Sequence, residues 1–296
     1  MGFNPPHWPD ISGMTEIVLH VHGKYDLDAT LDCGQTFRWI KKEGFWRGVT
    51  DAGVCDVRQK GARLFFEVTP APGFTENAAK AYLKKYFNTA VDLDEAFSAI
   101  IGKSGKYRGL FRRIIDRSSG LVLLRQELLE TMTAFLFSQQ SAIPLISKRI
   151  ARLCALFPEN GIMHKGEKQY LFPKPEDLKS LSGKQIKGLN LGFRERYFMD
   201  LIRNADDAML DKIRSAGRAG AGEMLKSFSG IGDKIAECVC LFSLSHGEAF
   251  PADVWIKRFY ARYLSSEDPG KFSRRFGKYA GLLQEYIYRF IRNEKN

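Results

Sequence analysis

The feature that most constrains this chain is a change of hydrophobic period near residue 70. Between Glu16 and Thr69 five short runs, "EIVLHVH", "TFRWIKKE", "FWRGVT", "GVCDVRQ" and "RLFFEVT", are rich in β-branched and aromatic residues and separated by glycine-containing turns. From Thr75 onward the apolar spacing is helical, as in "TENAAKAYLKKYF" and "DLDEAFSAII", with capping or acidic starts. "ELLETMTAFLFSQQSAIPLISKRIARLCALF" reads as two helices broken around Ser141–Pro144, and the remainder reads as mostly helix. The expected class is α+β: a β-rich N-terminal domain with an antiparallel sheet and helices over 1–115, then an all-α domain over 116–296.

Charge bears on the partner. A net charge of +11 over 296 residues favours a polyanion, most often nucleic acid. No apolar run approaches the ~20 residues of a membrane span. The opening "MGFNPPHWPDISGMTEIV" lacks the apolar core of a signal peptide, and Pro6 breaks a myristoylation pattern. The five cysteines are scattered and odd in number, which fits reduced intracellular thiols. None follows Cys240, which excludes a C-terminal four-cysteine iron–sulfur site.

Chemistry concentrates between Gly230 and Trp255. "FSGIGDK" joins two helical segments through a Gly-x-Gly turn, Gly230 and Gly232. Such a turn leaves backbone N–H groups free near a helix N-terminus, where they hold a phosphate without reading sequence. A plain helix–helix turn is the alternative. Lys234 stands in the first helical turn with Cys238 one turn on. The helix dipole and an apolar setting both favour its neutral, nucleophilic amine; binding a phosphate is the plainer use. Asp253 in "FPADVW" reads as a helix N-cap, and can also stabilise positive charge on a sugar.

These residues resemble the helix–hairpin–helix superfamily of DNA glycosylases, in which the lysine marks the branch with lyase activity. Here Phe228 and Ser229 stand where the family often has Leu-Pro. Four further stretches, "CGQTFRW", "LGFRERY", "CVCL" and "YAGLLQEYIY", match in order and spacing the 8-oxoguanine DNA glycosylases of the human type, in a clostridial-like variant. The resemblance implies a carbonyl at Gly34 that accepts from N7–H of the oxidised base. It implies Gln284 on the Watson–Crick edge, with Tyr288 and Cys238 on the two faces of the flipped base. Gln139, Gln140, Phe193, Arg194 and Trp255 fall on the DNA side. Lys234 and Asp253 are the catalytic pair, and the hairpin glycines hold a phosphate.

The implied partner is duplex DNA containing 8-oxoguanine, bound by a monomer, in the cytoplasm or nucleoid of a bacterium or the nucleus of a eukaryote. No redox cofactor or catalytic metal is implied; a monovalent cation at the hairpin is compatible. One reader of the opposite cytosine is absent, since Leu145 stands where the family has arginine, so relaxed opposite-base selectivity is expected. The competing readings are a monofunctional glycosylase for alkylated bases, which needs no lysine at 234, and a non-catalytic DNA-binding module, which needs no Asp253.

Overall fold

The computed structural model describes residues 14–294; the N-terminal stretch read above for a leader lies almost wholly outside them. Strands β1 (Thr15–His20), β2 (Trp39–Lys42), β3 (Phe45–Thr50), β4 (Gly53–Lys60) and β5 (Arg63–Pro70) form one antiparallel sheet in the order β1-β5-β4-β3-β2. A short helix α1 (Leu27–Leu31) interrupts the strands, capped by Asp26, whose carboxylate accepts from the Ala29 amide.

Helices follow, as the change of period requires: α2 (Glu76–Tyr86), α3 (Leu93–Lys103), α4 (Arg108–Arg117), α5 (Leu128–Ser138) and α6 (Ile143–Cys154). The expected break between α5 and α6 is present, with Pro144 in the first turn of α6, where its missing N–H costs nothing. Then come α7 (Pro175–Lys179), α8 (Gly183–Gly188), α9 (Glu195–Asn204), α10 (Asp207–Ser215) and α11 (Arg218–Lys226). The last four are α12 (Asp233–Phe242), α13 (Val254–Tyr263), α14 (Pro269–Arg274) and α15 (Ala280–Asn293).

One feature departs from the helical expectation. Strands β6 (Gly161–His164) and β7 (Glu167–Tyr170) form a hairpin within the helical half. Its two turn residues, Lys165 and Gly166, both have positive φ, the geometry that lets a two-residue turn follow strand twist. Polar contacts dock it on the sheet. Lys165 reaches Asp56 at 2.9 Å and also Glu67, Arg47 bridges Asp56 at 2.7 Å and Glu167 at 2.9 Å, and His164 Nδ1 meets Thr69 Oγ1 at 2.8 Å.

Apolar packing groups the chain by face rather than by order. One core joins the sheet and α1–α4 to the C-terminal helices α13–α15. A second joins α5–α12, and takes in Phe37 from the loop before β2. The chain therefore returns at its end to the half it began in. The residues singled out above fall along the seam: Cys33 belongs to the first core, Cys238 to the second, and Tyr288 packs against the first.

Candidate active site

Three sequence motifs meet at Gly230. Its φ of +82° is in the region glycine favours, and a β-carbon there would lie 2.4 Å from Cγ of Tyr197. The Gln139 side-chain amide donates to Gly230 O at 3.3 Å, and Asp200 accepts from the Ser229 amide at 2.8 Å. Arg194 is buried and donates through Nε to Gln139 O at 2.8 Å, through Nη2 to the same oxygen, and through Nη1 to Leu191 O at 2.9 Å. The "FSQQS" turn, the "LGFRERY" segment and the glycine hairpin are thus one rigid assembly. Gln140 is exposed with φ of +47°, Phe193 is 44% exposed, and the Arg194 guanidinium lies 4.3 Å from the Phe193 ring centroid.

Gly232 is the N-cap of α12 and offers no side-chain acceptor to the first-turn amides, so those N–H groups are open to an anion. Lys234 is half-buried, with its ammonium 5.2 Å from the Phe135 ring centroid. Its charge reaches the Cys238 thiol one turn on. Burial pushes that thiol up to about 12, with Lys234 opposing.

Asp253 caps α13 as its position predicts: Oδ1 accepts from the amides of Trp255 and Ile256, each at 2.9 Å. Its capping role leaves Oδ2 without a partner among the described residues, so the same carboxylate can face a reacting sugar. Trp255, two positions on, is half-buried under the Arg258 guanidinium, 4.9 Å from the ring centroid.

The base-binding candidates converge from two other elements. Gly34, at φ of +94°, faces Tyr288: a β-carbon there would stand 3.7 Å from the tyrosine hydroxyl and 3.4 Å from Ile143 Cδ1. Gln35 fixes this loop from below. Fully buried, it donates to Thr30 O and Val122 O, both at 2.9 Å, and accepts from the Leu124 amide at 2.8 Å. Gln284 is 3% exposed and its Oε1 has no hydrogen-bond partner. A buried carbonyl oxygen without a donor is costly unless a ligand supplies one. Burial also pushes the Tyr288 hydroxyl up to about 12, so it is neutral.

The structure brings Lys234, Cys238, Asp253, Gly34, Gln284 and Tyr288 to one seam, and gathers Gln139, Gln140, Phe193, Arg194, Gly230 and Gly232 beside the hairpin. Arg194 is turned inward, and it holds the turn that carries Gln139 and Gln140. Three residues were not anticipated: Gln35, Asp200 and Glu285. Glu285 lies next to Gln284, is 4% exposed, and has Oε2 unpartnered. Its signal was available as an acid inside the apolar run "GLLQEYIYRFI".

The chain is similar to several known proteins. Residues 18–132 match the family model described as 8-oxoguanine DNA glycosylase, N-terminal domain. A probable N-glycosylase/DNA lyase of Methanothermobacter thermautotrophicus is 24% identical over 301 residues, covering 91% of this chain and 94% of its own. The apo structure of the Clostridium acetobutylicum 8-oxoguanine glycosylase/lyase superposes with a TM-score of 0.81 at 26% identity, covering 92% of this chain and 95% of that one. MBOgg1, solved with a low-affinity DNA ligand, gives 0.84 at 28% identity, covering 95% and 97%.

Proposed function

We infer that this chain, which belongs to the 8-oxoguanine DNA glycosylase family, excises 8-oxoguanine from duplex DNA and nicks the strand through a lysine Schiff base. The observation that supports the reading is the convergence of Lys234 and Asp253 on the Cys238 thiol, with Tyr288 also within reach of Asp253 and packed beside Gly34. The charges of Lys234 and Asp253 also both reach the buried Glu285 carboxyl.

The chemistry follows from the residues. Open N–H groups at the start of α12 hold a backbone phosphate, and the excess of basic side chains supplies affinity through counterion release. Gln139, Gln140 and Phe193 occupy the space left by the displaced base, which must leave the stack before its sugar can be reached. Oε1 of Gln284 accepts from the guanine edge, and the Gly34 carbonyl accepts from N7–H, a donor only the oxidised base has. The Lys234 amine attacks C1′ while the Asp253 carboxylate stabilises the positive charge on the sugar. The resulting Schiff base makes the adjacent C2′ proton acidic and permits β-elimination. A monovalent cation, if bound, would be held by the backbone of the hairpin and would supply positive charge beside the phosphate; no step passes through it.

We place the protein wherever the cell keeps its DNA, acting as a monomer. Among the described residues no helix is long and apolar enough to cross a membrane. Opposite the lesion, Leu145 is 42% exposed in the first turn of α6, and Arg194 spends its donors on Gln139 and Leu191 carbonyls. Neither arrangement offers cytosine the pair of guanidinium donors that would select it, so we expect weak discrimination among opposite bases. Borohydride trapping on an 8-oxoguanine duplex tests the reading: a covalent protein–DNA adduct is expected. Base release without an adduct would move the chain to the monofunctional class, and neither would leave a binding module.

A further inference from the structure

We propose that Glu285 is a proton donor to the departing base. The inference rests on the excision reaction above and adds a residue to it.

The geometry begins with the approach of two helices. Gly281 on α15 lies so close to α12 that a β-carbon would meet Leu241 Cδ1 at 2.1 Å and Ala249 O at 2.8 Å. One turn further along the same face of α15 is Glu285, and one turn back along α12 from Leu241 is Cys238, followed by Lys234. The contact at Gly281 therefore lays the carboxyl against the helix that carries the nucleophile. The charged and titratable groups that face it come from four elements. Cys33 reaches it from the loop after α1, Lys234 and Cys238 from α12, and Asp253 from the N-cap of α13; Tyr288 and Arg292 flank it on α15.

Burying a carboxyl is expensive unless its oxygens are served. No arginine or lysine makes an ion pair with Glu285 among the described residues, and Oε2 has no partner. A residue retained only for packing would do better as an apolar side chain. Burial, and then the negative charge of Asp253, push the Glu285 carboxyl up to about 8, against the opposing pull of Cys33, Lys234 and Arg292. It is therefore an acid at neutral pH, with Oε2 free to carry an O–H that finds no acceptor among the described residues.

The reaction supplies the acceptor. When C1′–N9 breaks, the base leaves with the bonding pair and a negative charge spread over its ring nitrogens and oxygens. The Glu285 O–H bond breaks as an N–H or O–H bond forms on that base. The lone pair of Lys234, entering the step as the neutral amine R–NH2, meanwhile forms the N–C1′ bond, leaving the attached nitrogen with one proton too many. That proton passes to the Glu285 carboxylate and resets the acid. Nothing is oxidised or reduced, and the proton count closes.

An abasic site has no base to protonate, so excision and nicking of abasic DNA should separate. The readout is the ratio of single-turnover 8-oxoguanine release to nicking of a preformed abasic duplex. Attack by Lys234 is common to both substrates and cancels in the ratio. In the wild type the ratio should be flat below about pH 7.5 and fall about tenfold per unit above about pH 8.5. Glu285→Gln keeps the shape but cannot transfer a proton. Its ratio should be lower by about 100-fold and lose the alkaline limb, since general acid catalysis contributes on the order of 10²–10⁴.

A Glu285→Gln ratio within about threefold of wild type would overturn the proposal. If that variant is inactive on both substrates, the wild-type profile decides, and a ratio flat to about pH 9.5 overturns it. A wild type that releases no 8-oxoguanine at all would instead sink the assigned function, which keeps the two failures apart.

Discussion

Replacing Gly230 by alanine tests whether the DNA face is assembled as described. Two costs add. A non-glycine residue in the left-handed region costs about 1–2 kcal/mol. The new β-carbon would lie 2.4 Å from Cγ and 2.5 Å from Cδ2 of Tyr197, atoms near the root of the ring that cannot swing aside. Forced repacking of that kind costs about 1–3 kcal/mol. The sum is about 2–5 kcal/mol, or a fall in Tm of roughly 4–10 °C at about 2 °C per kcal/mol for a chain of this size. Gly232, two residues on, is the internal control: its φ is −91° and nothing stands within 4 Å of its β-position. Gly232→Ala should cost less than about 1 kcal/mol. Urea unfolding of both variants, with duplex binding by anisotropy, gives the comparison. Gly230→Ala should also weaken binding by about tenfold, because moving the hairpin takes Gly230 O off the Gln139 amide. If both variants unfold within about 0.5 kcal/mol of wild type, the close contact between hairpin and Tyr197 is wrong.

Lys234→Gln should keep duplex binding and lose both base release and borohydride trapping; an adduct that persists would relocate the nucleophile. Asp253→Asn keeps Oδ1 as acceptor for the Trp255 and Ile256 amides, so its stability should stay within about 1 kcal/mol of wild type while its single-turnover rate falls by about 100-fold or more. Wild-type activity in that variant would reduce the residue to a cap. Excision opposite cytosine, adenine, guanine and thymine should differ by about tenfold or less, since a missing bidentate contact removes ~1–3 kcal/mol of discrimination. A preference for cytosine of about 1000-fold would show that a basic side chain near Leu145, such as Arg149 one turn along α6, takes the place of the missing arginine.

The sheet was legible because its strands are short runs rich in β-branched and aromatic residues set off by glycine-containing turns, a local pattern that needs no knowledge of the rest of the chain; β1 alternates, whereas β3 and β4 are buried on both faces for most of their length. The hairpin of β6 and β7 was not. Its residues are mostly half-exposed and do not alternate, and its attachment is ionic, through Lys165 to Asp56 and Glu67, about a hundred positions earlier. A lysine and a glycine at the turn were the only local sign. Helical periodicity likewise announced that α13 to α15 bury a stripe, but not that they bury it against the sheet half. Position along the chain suggested the opposite partner, and the packing shows otherwise.

The site divides in the same way. Lys234, Gly230 and Gly232 can be read together because a hairpin and the first turn of the next helix fix their relation within a few residues. Asp253 can be read because an N-cap is local. What holds the site together is long-range. Gln35 reaches Val122 and Leu124 through a buried amide, and Gly281 admits Leu241 where a single methyl would hold α15 away. Sequence gives Gln35 only as one letter of "CGQTFRW" and Gly281 as one of "YAGLL". Glu285 is the sharpest case. As a letter it interrupts an apolar helix and reads as a flaw; in the fold it is a buried acid with one carboxylate oxygen, Oε2, left without a partner among the described residues. An acidic residue inside a run that is otherwise core is therefore best tested by asking what the opposing helix carries at the same level. Here that is the nucleophile.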